Sequence, residues 1–304
     1  MNIFKFLRKD KKALLLIFVG TVAFIFIFIP FLKFQMVGSN HKINAYPSLS
    51  AVCGLLLGPI YGFFAIMLTI IIYFFLNPKA FYFGIYSLIP PTLAVISAGA
   101  LSEGKWKYSA IILIVGLLLF YLTDVGRAVF YHPFLSILAL LLILIFRGKI
   151  SELLFNKDWT KMMIGALILS FSSVMIDHMY GSILGIVYLH LSAEDYISVI
   201  PIFIEERLIM TILGAFFVIF SIEISRCFLR NATKLKEKLI KDYIDEEIKT
   251  TNNNCILNAD EELLEKYGVK IPSEEEQKEI LKTFVEVMIA NNDKDGGNNY
   301  KKYL

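Results

Sequence analysis

Long uninterrupted apolar segments constrain this chain more than any other feature of its sequence. Residues 13–34 form one such run, and residues 110–123 and 162–176 reach a similar length with their flanks. A helix needs about 20 apolar residues to cross a hydrocarbon core about 30 Å thick. A spanning β-strand would alternate apolar and polar residues, whereas residues 18–29 and 137–145 are apolar on every side. The sequence therefore predicts an all-α fold, a polytopic transmembrane helix bundle.

Composition narrows the partners that such a chain can have. Of its 304 residues 57% are hydrophobic and 19% are charged, which is below the share of about a quarter that is usual in soluble proteins. The net charge of +3 is small and the basic residues gather in loops, so nucleic acid is not an expected partner. Cys53, Cys227 and Cys255 have neither zinc-site nor disulfide-framework spacing. We expect the lipid bilayer as the main partner, and no metal or cofactor.

The bundle is predicted to have six to eight spans, and eight is the count that fits the charged loops. The candidate helices are residues 12–34, 46–58, 59–77, 83–101, 107–124, 133–147, 160–189 and 200–226. Cytoplasmic loops carry an excess of Lys and Arg, as do residues 5–12, 147–161 and 226–238. All three fall on one side only if the chain turns at Gly58-Pro59. This predicts a multi-pass protein of a prokaryotic cell membrane with both termini in the cytoplasm.

The composition changes near residue 227, which divides the chain into a transmembrane bundle, residues 1–226, and a cytoplasmic tail, residues 227–304. The charge pattern of residues 231–249 predicts an amphipathic helix, followed by a polar break at residues 250–254. A second helix is predicted from Ser273, which forms a capping box with Glu276, to about residue 291. The polar ends indicate a small helical tail that is partly disordered.

Ionisable residues in or beside three predicted spans, the fifth, seventh and eighth, lie at a similar depth toward the outer side. Such residues are costly within a membrane and indicate a functional site. We predict an outward-facing cavity that binds a polar small molecule without chemical change, lined by Asp124, Arg127, Asp177, His178, Glu205 and Arg207. No residue is assigned a catalytic role.

Simpler interpretations of the same residues remain open. Asp124 and Arg127 are three residues apart on a helix and can neutralise each other, and Glu205 and Arg207 can lie shallow enough to reach water. An isolated histidine such as His178 is more often hydrogen-bonded in the interior than bound to a metal.

An enzymatic interpretation fails on spacing. Glu205-Glu206 followed by arginine resembles the Glu-Glu-x-x-x-Arg signature of the intramembrane CAAX-type proteases, but Met210 occupies the position of the arginine. No later helix supplies the expected histidines. A serine nucleophile elbow, a phosphate-binding glycine loop and an HExxH motif are also missing from the sequence. The protein is not expected to be an enzyme.

Residues 46–62 combine a proline at Pro47, a helix rich in small residues and the Gly-Pro-x-x-Gly turn Gly58-Pro59-Ile60-Tyr61-Gly62. This segment resembles the second and third helices of the substrate-binding S components of energy-coupling factor transporters. Pro201 and the final span are also similar to the last helix of that family. The resemblance implies a membrane protein that captures a vitamin-like small molecule and associates with a transmembrane coupling subunit and a pair of ATPases.

The chain departs from that family in three respects. The family has six spans, whereas eight are predicted here. Its first helix carries an alanine-x-x-x-alanine contact, whereas this chain has only Gly20 and Ala23 there. Members of the family also lack a soluble tail of this kind. The alternative is a membrane sensor or adaptor with an outward-facing ligand cavity and a cytoplasmic signalling tail.

Overall fold

The described part of the chain is almost entirely helical. The computed structural model describes residues 4, 8, 11–28, 33–35, 42–44, 47–78, 81 and 83–258, with side chains up to residue 227 except at 28, 33–35 and 42–44. The helices are α1 (Lys11–Phe28), α2 (Pro47–Leu76), α3 (Ile89–Ser102), α4 (Trp106–Leu122), α5 (Asp124–Ala128), α6 (Phe134–Phe146), α7 (Lys149–Leu154), α8 (Trp159–Leu189) and α9 (Ala193–Asn258). A 3-10 helix, Gly84–Leu88, precedes α3, and two short strands, β1 (Lys33–Gln35) and β2 (Lys42–Asn44), pair antiparallel. The predicted helical fold is confirmed in these residues.

Four helical segments of the described part are long and apolar enough to cross a membrane. They are Pro47–Leu76, Gly84–Ser102, Trp159–Leu189 and Ala193–Cys227. Helices α4 and α6 are apolar but have only 17 and 13 residues, lengths of about 25 and 20 Å. Large apolar side chains are exposed along these helices, including Leu118, Ile145 and Phe216, which is the surface expected to face lipid. The chain is a helical membrane protein, and its number of spans stays a prediction.

Helix α2 is sharply kinked at Gly58, where the sequence predicted a turn. Gly58 has φ 73° and ψ −175°, a backbone conformation that favours glycine, and Pro59 follows it. The thiol of Cys53 donates to the carbonyl of Gly62 at 3.7 Å, although residues nine apart in a straight helix are separated by about 13.5 Å. The two halves of α2, residues 47–58 and 59–76, therefore fold back on each other, so α2 is not one straight membrane span.

The folded-back helix α2 packs tightly against α3 through small residues. A Cβ added to Gly54 would lie 2.6 Å from the backbone nitrogen of Gly99, and a Cβ added to Gly99 would overlap the backbone at Gly58 and Pro59. Such close backbone contact is typical of helix pairs in membranes. At the kink, Nη1 of Arg8 lies 2.9 Å from Oε1 of Glu103, which follows α3.

Helix α8 is the central helix of the unit Met1–Glu223, one of two compact units into which the chain separates. Its most apolar stretch is 78% buried, against 33% for the corresponding stretch of α9. It packs against α2, α3, α4, α6 and α7. Its serine hydroxyl at Ser173 donates to the carbonyl of Ala94 on α3 at 3.2 Å. A polar side chain on the inner face of α8 is therefore enclosed by protein.

The final helix differs from its prediction at both ends. It begins at Ala193 and not at residue 200, because Ser192 and Asp195 form a capping box: Ser192 N donates to Asp195 Oδ2 at 2.7 Å, and Asp195 N donates to Ser192 Oγ at 3.3 Å. Pro201 lies inside the helix. The predicted break at residues 250–254 is also wrong, since threonine and asparagine lower helix propensity only slightly and no proline or glycine interrupts the segment.

The second compact unit, Ile224–Leu304, is described only as far as the end of α9. The predicted tail helix from Ser273 to residue 291 lies outside the described residues, as does the predicted disorder of the C-terminal end.

Candidate functional site

Five ionisable side chains converge beside the middle of α8. Asp177 and His178 lie on α8, Glu206 and Arg207 lie on α9, and His132 lies in the connection between α5 and α6. We call these five residues the buried polar cluster. Asp177, Glu206 and Arg207 are 6 to 7% exposed and His132 is 1% exposed, whereas His178 is partly buried.

Helix geometry explains why residues distant in sequence meet here. Helices α8 and α9 are joined by a short connection and run back along each other. Asp177 lies about 18 Å before the end of α8, and Glu206 lies about 20 Å after the start of α9, at 1.5 Å per residue. The two residues are therefore at the same level. On α9, Glu206 and Arg207 share a face with Phe203 and Met210, which are three or four residues away and fully buried.

An ion pair connects the two helices within the cluster. Nη1 of Arg207 lies 3.9 Å from Oδ2 of Asp177, with the two side chains 7% and 9% exposed. The same nitrogen donates to Sδ of Met210 at 3.5 Å. Glu206 also acts on Asp177 electrostatically, so its carboxyl group is part of the same charge network.

Several polar atoms of the cluster are buried without a hydrogen-bond partner. They are Nε of Arg207, Oδ1 of Asp177, Oε1 of Glu206, Nε2 of His178 and both ring nitrogens of His132. Most buried polar groups in proteins are paired, and an unpaired one costs about 1 to 3 kcal/mol. Such atoms concentrated in one place have hydrogen-bonding capacity that the described residues do not use.

The two imidazole rings form the aromatic side of the cluster. His178 stacks on Phe203 with ring centroids 4.9 Å apart and planes 13° apart. The His132 ring centroid lies 5.6 Å from that of His178 and 4.8 Å from that of Tyr196. The hydroxyl of Tyr196 donates to the carbonyl of Ser182 at 2.6 Å, which ties the start of α9 to α8.

His132 is held by the connection between α4 and α6. Thr123 accepts from Gly126 N at 2.9 Å and so caps α5, and the hydroxyl of Tyr121 donates to the carbonyl of Phe130 at 2.8 Å. Burial lowers the pKa of His132 to about 4. The nearby backbone of Tyr196 has a smaller effect in the opposite direction. The ring is therefore neutral at neutral pH.

The structure does not bring all six predicted site residues together. Asp177, His178 and Arg207 lie in the cluster. Asp124 and Arg127 do not: they pair with each other on α5, with side chains 96% and 60% exposed. The pairing that the simpler interpretation expected is therefore present. Glu205 is also exposed, because it lies about 100° around the helix from Glu206.

Two members of the cluster were missing from the predicted site. Glu206, and not the predicted Glu205, lies in the cluster, and the spacing of Phe203, Arg207 and Met210 around it indicates a buried helix face. His132 lies in the connection between α5 and α6, and nothing in the local sequence indicates that this connection is buried. The described residues contain no group of three or more His, Cys, Asp or Glu side chains that could hold a metal ion.

Comparison with known proteins places the chain in a family. It is 82% identical over 295 residues to a protein of Methanocaldococcus jannaschii, "Uncharacterized protein MJ0923", with 97% of this chain and 99% of that protein aligned. The chain belongs to the family of that protein. No protein-family model matches the chain, and no solved structure matches it. The family is thus defined by sequence, and the resemblance to transporter S components stays an expectation.

Proposed function

We propose that this family captures a small molecule in the membrane, as the substrate-binding subunit of an importer. The observation that carries this proposal is the set of unpartnered polar atoms on Asp177, Glu206 and Arg207, buried between helices that are apolar enough to span a membrane. Ionisable residues at such positions are retained where they pair, reach water or meet a ligand. Here the pairing is incomplete, which favours a ligand.

The surrounding side chains suit binding without chemical change. The cluster offers a guanidinium donor, two carboxyl acceptors and two imidazoles against the ring of Phe203. Small-molecule sites are commonly apolar with a few placed polar groups. Such an arrangement suits the recognition of a small molecule.

Partnership with a transmembrane coupling subunit and ATPases is part of the same proposal. It is supported by the Gly-Pro-x-x-Gly segment, whose glycine Gly58 produces the folded-back α2. A second function, as a membrane sensor or adaptor, is favoured by one observation: the helix that carries Glu206 and Arg207 continues to Asn258. Cross-linking in the native host, followed by identification of the linked proteins, separates the two, since an importer yields ATPases and a sensor yields signalling proteins.

Native mass spectrometry of the purified full chain tests ligand capture. We expect the wild-type protein to carry a bound small molecule. The D177N and R207Q variants should contain at least tenfold less bound ligand while still eluting as folded protein. D124N and R127Q provide the matched control, because they neutralise the same residue types in an exposed pair. Equal ligand content in D177N, R207Q and D124N would overturn the proposal.

A further inference from the structure

The buried polar cluster contains more acid than base. Asp177 and Glu206 supply two carboxyl groups, and Arg207 supplies one guanidinium. Among the described residues, the charged groups that act on Asp177 are Arg207 and Glu206, and those that act on His178 are Arg207 and His132. Arg207 is the one permanent cation among these five side chains, so it balances one carboxyl group and leaves the other without a permanent cation.

An unbalanced carboxylate is not stable in such surroundings. Burying an isolated ionised carboxylate costs many times the free energy of a hydrogen bond, so the group takes up a proton or binds a cation. Asp177 and Glu206 are both 7% exposed, and each leaves one oxygen, Oδ1 and Oε1, without a hydrogen-bond partner. Both free atoms are acceptors when ionised, so they match a positively charged donor.

The number of side-chain oxygens that can contact a bound cation distinguishes between kinds of cation. A divalent metal ion takes four or more ligands, often several side chains, and no described group of three His, Cys, Asp or Glu residues could hold one. An ammonium group carries up to three N–H donors and needs only a few acceptors. Two buried carboxyl oxygens, Oδ1 of Asp177 and Oε1 of Glu206, are therefore better suited to an amine than to a divalent metal ion.

We propose that the cluster binds a small protonated amine in exchange for one proton. This rests on the proposed capture function and names its substrate class. In the empty site, Asp177 or Glu206 holds a proton. When an ammonium group enters, that O–H bond breaks, the proton leaves to solvent, and the resulting carboxylate accepts an N–H from the ligand. The net charge of the site is the same before and after binding.

Proton release on ligand addition tests this exchange. The purified full chain, in detergent and weak buffer with a pH-indicator dye, is titrated with methylammonium chloride, and tetraethylammonium chloride controls for ionic strength. We expect saturable release approaching one proton per protein molecule with methylammonium only. E206Q should reduce that release at least tenfold, and E205Q, which changes the exposed neighbour, should leave it unchanged.

Three outcomes would overturn the exchange. Release that is equal in E206Q and E205Q places the proton elsewhere, and absence of release with methylammonium excludes the amine. Release with sodium chloride but not methylammonium assigns the site to an alkali cation instead. If E206Q does not elute as folded protein, D177N removes the other carboxyl group and answers the same question.

Failure of the exchange and failure of the capture function give different results. A co-purified neutral or anionic molecule that is lost in D177N, without proton release, would refute the exchange and leave capture standing. Saturable proton release with methylammonium, without any co-purified molecule that depends on Asp177, would refute capture and leave the cation site standing.

Discussion

Nη1 of Arg207 lies 3.9 Å from Oδ2 of Asp177, and this contact joins α9 to the central helix α8. Both side chains are more than nine-tenths buried. At this distance the two groups attract each other electrostatically without a direct hydrogen bond. In addition, Oδ1 of Asp177 and Nε of Arg207 have no hydrogen-bond partner among the described residues. The same pair can therefore hold the helices in register and contact a ligand.

We predict strong coupling between Asp177 and Arg207 in folding. R207Q leaves the ionised carboxyl group of the buried polar cluster without its cation and should lower the free energy of unfolding by about 3 to 5 kcal/mol. The double variant D177N/R207Q should recover about 1 to 3 kcal/mol of the summed losses. Thermal and denaturant unfolding in detergent measures the cycle, with D124N/R127Q as an exposed control expected to show less than about 1 kcal/mol. Additive losses would show that the two residues act independently.

We predict that the α8–α9 connection faces outside and the α7–α8 connection faces the cytoplasm. Single cysteines at the exposed positions Glu194 and Lys157, on a chain without Cys53, Cys227 and Cys255, report the side of each. An impermeant thiol reagent added to intact cells should label E194C and leave K157C unlabelled until the cells are opened. Labelling of K157C from outside would reverse the topology.

We predict that Gly58 cannot be replaced by alanine without loss of stability. A Cβ there would overlap the guanidinium of Arg8 and lie 2.9 Å from Oε1 of Glu103, at a φ of +73°. At φ 73° and ψ −175° the backbone occupies a region that is essentially restricted to glycine, and the strain on alanine there is about 1 to 3 kcal/mol, so G58A should lower the melting temperature. The control is G181A, because a Cβ at Gly181 meets nothing within 4 Å. R8A/G58A should recover the part of the lost melting temperature that is caused by overlap with Arg8. If G58A melts at the same temperature as the wild type, the kink tolerates a side chain.

We predict an acid-sensitive contribution from His132. Its folded pKa of about 4 lies below the ordinary value of 6.5, so the unfolded chain takes up a proton first as the pH falls. The stabilising contribution is complete above about pH 6.5 and is lost by about pH 4, a difference on the order of 3 kcal/mol. H132F should reduce the dependence of the free energy of unfolding on pH over this range. H190N, which changes an exposed residue with a left-handed backbone, should not. If the free energy of unfolding depends on pH in the same way in the wild type and in H132F, the predicted contribution of His132 is wrong.

Helical architecture could be predicted because hydrophobicity and length act locally. Continuous apolar runs favour helices in lipid, where every backbone group must be paired within the segment. The turn at Gly58 was predictable for the same reason, since proline and glycine restrict or free the backbone wherever they occur. The start of α9 was missed although its capping box, Ser192 and Asp195, is also local and readable.

The presence of ionisable residues in apolar helices can be recognised without a structure, because the chemistry of these residues and the apolar runs around them are local properties of the chain. Which of these residues meet depends on how the helices pack. Glu205 and Glu206 are adjacent and chemically alike, yet one is exposed and the other buried, since helix rotation and the packing of α9 on α8 select the inner face. His132 enters the cluster because the α5–α6 connection folds inward over α8, a placement set by contacts between residues far apart in sequence.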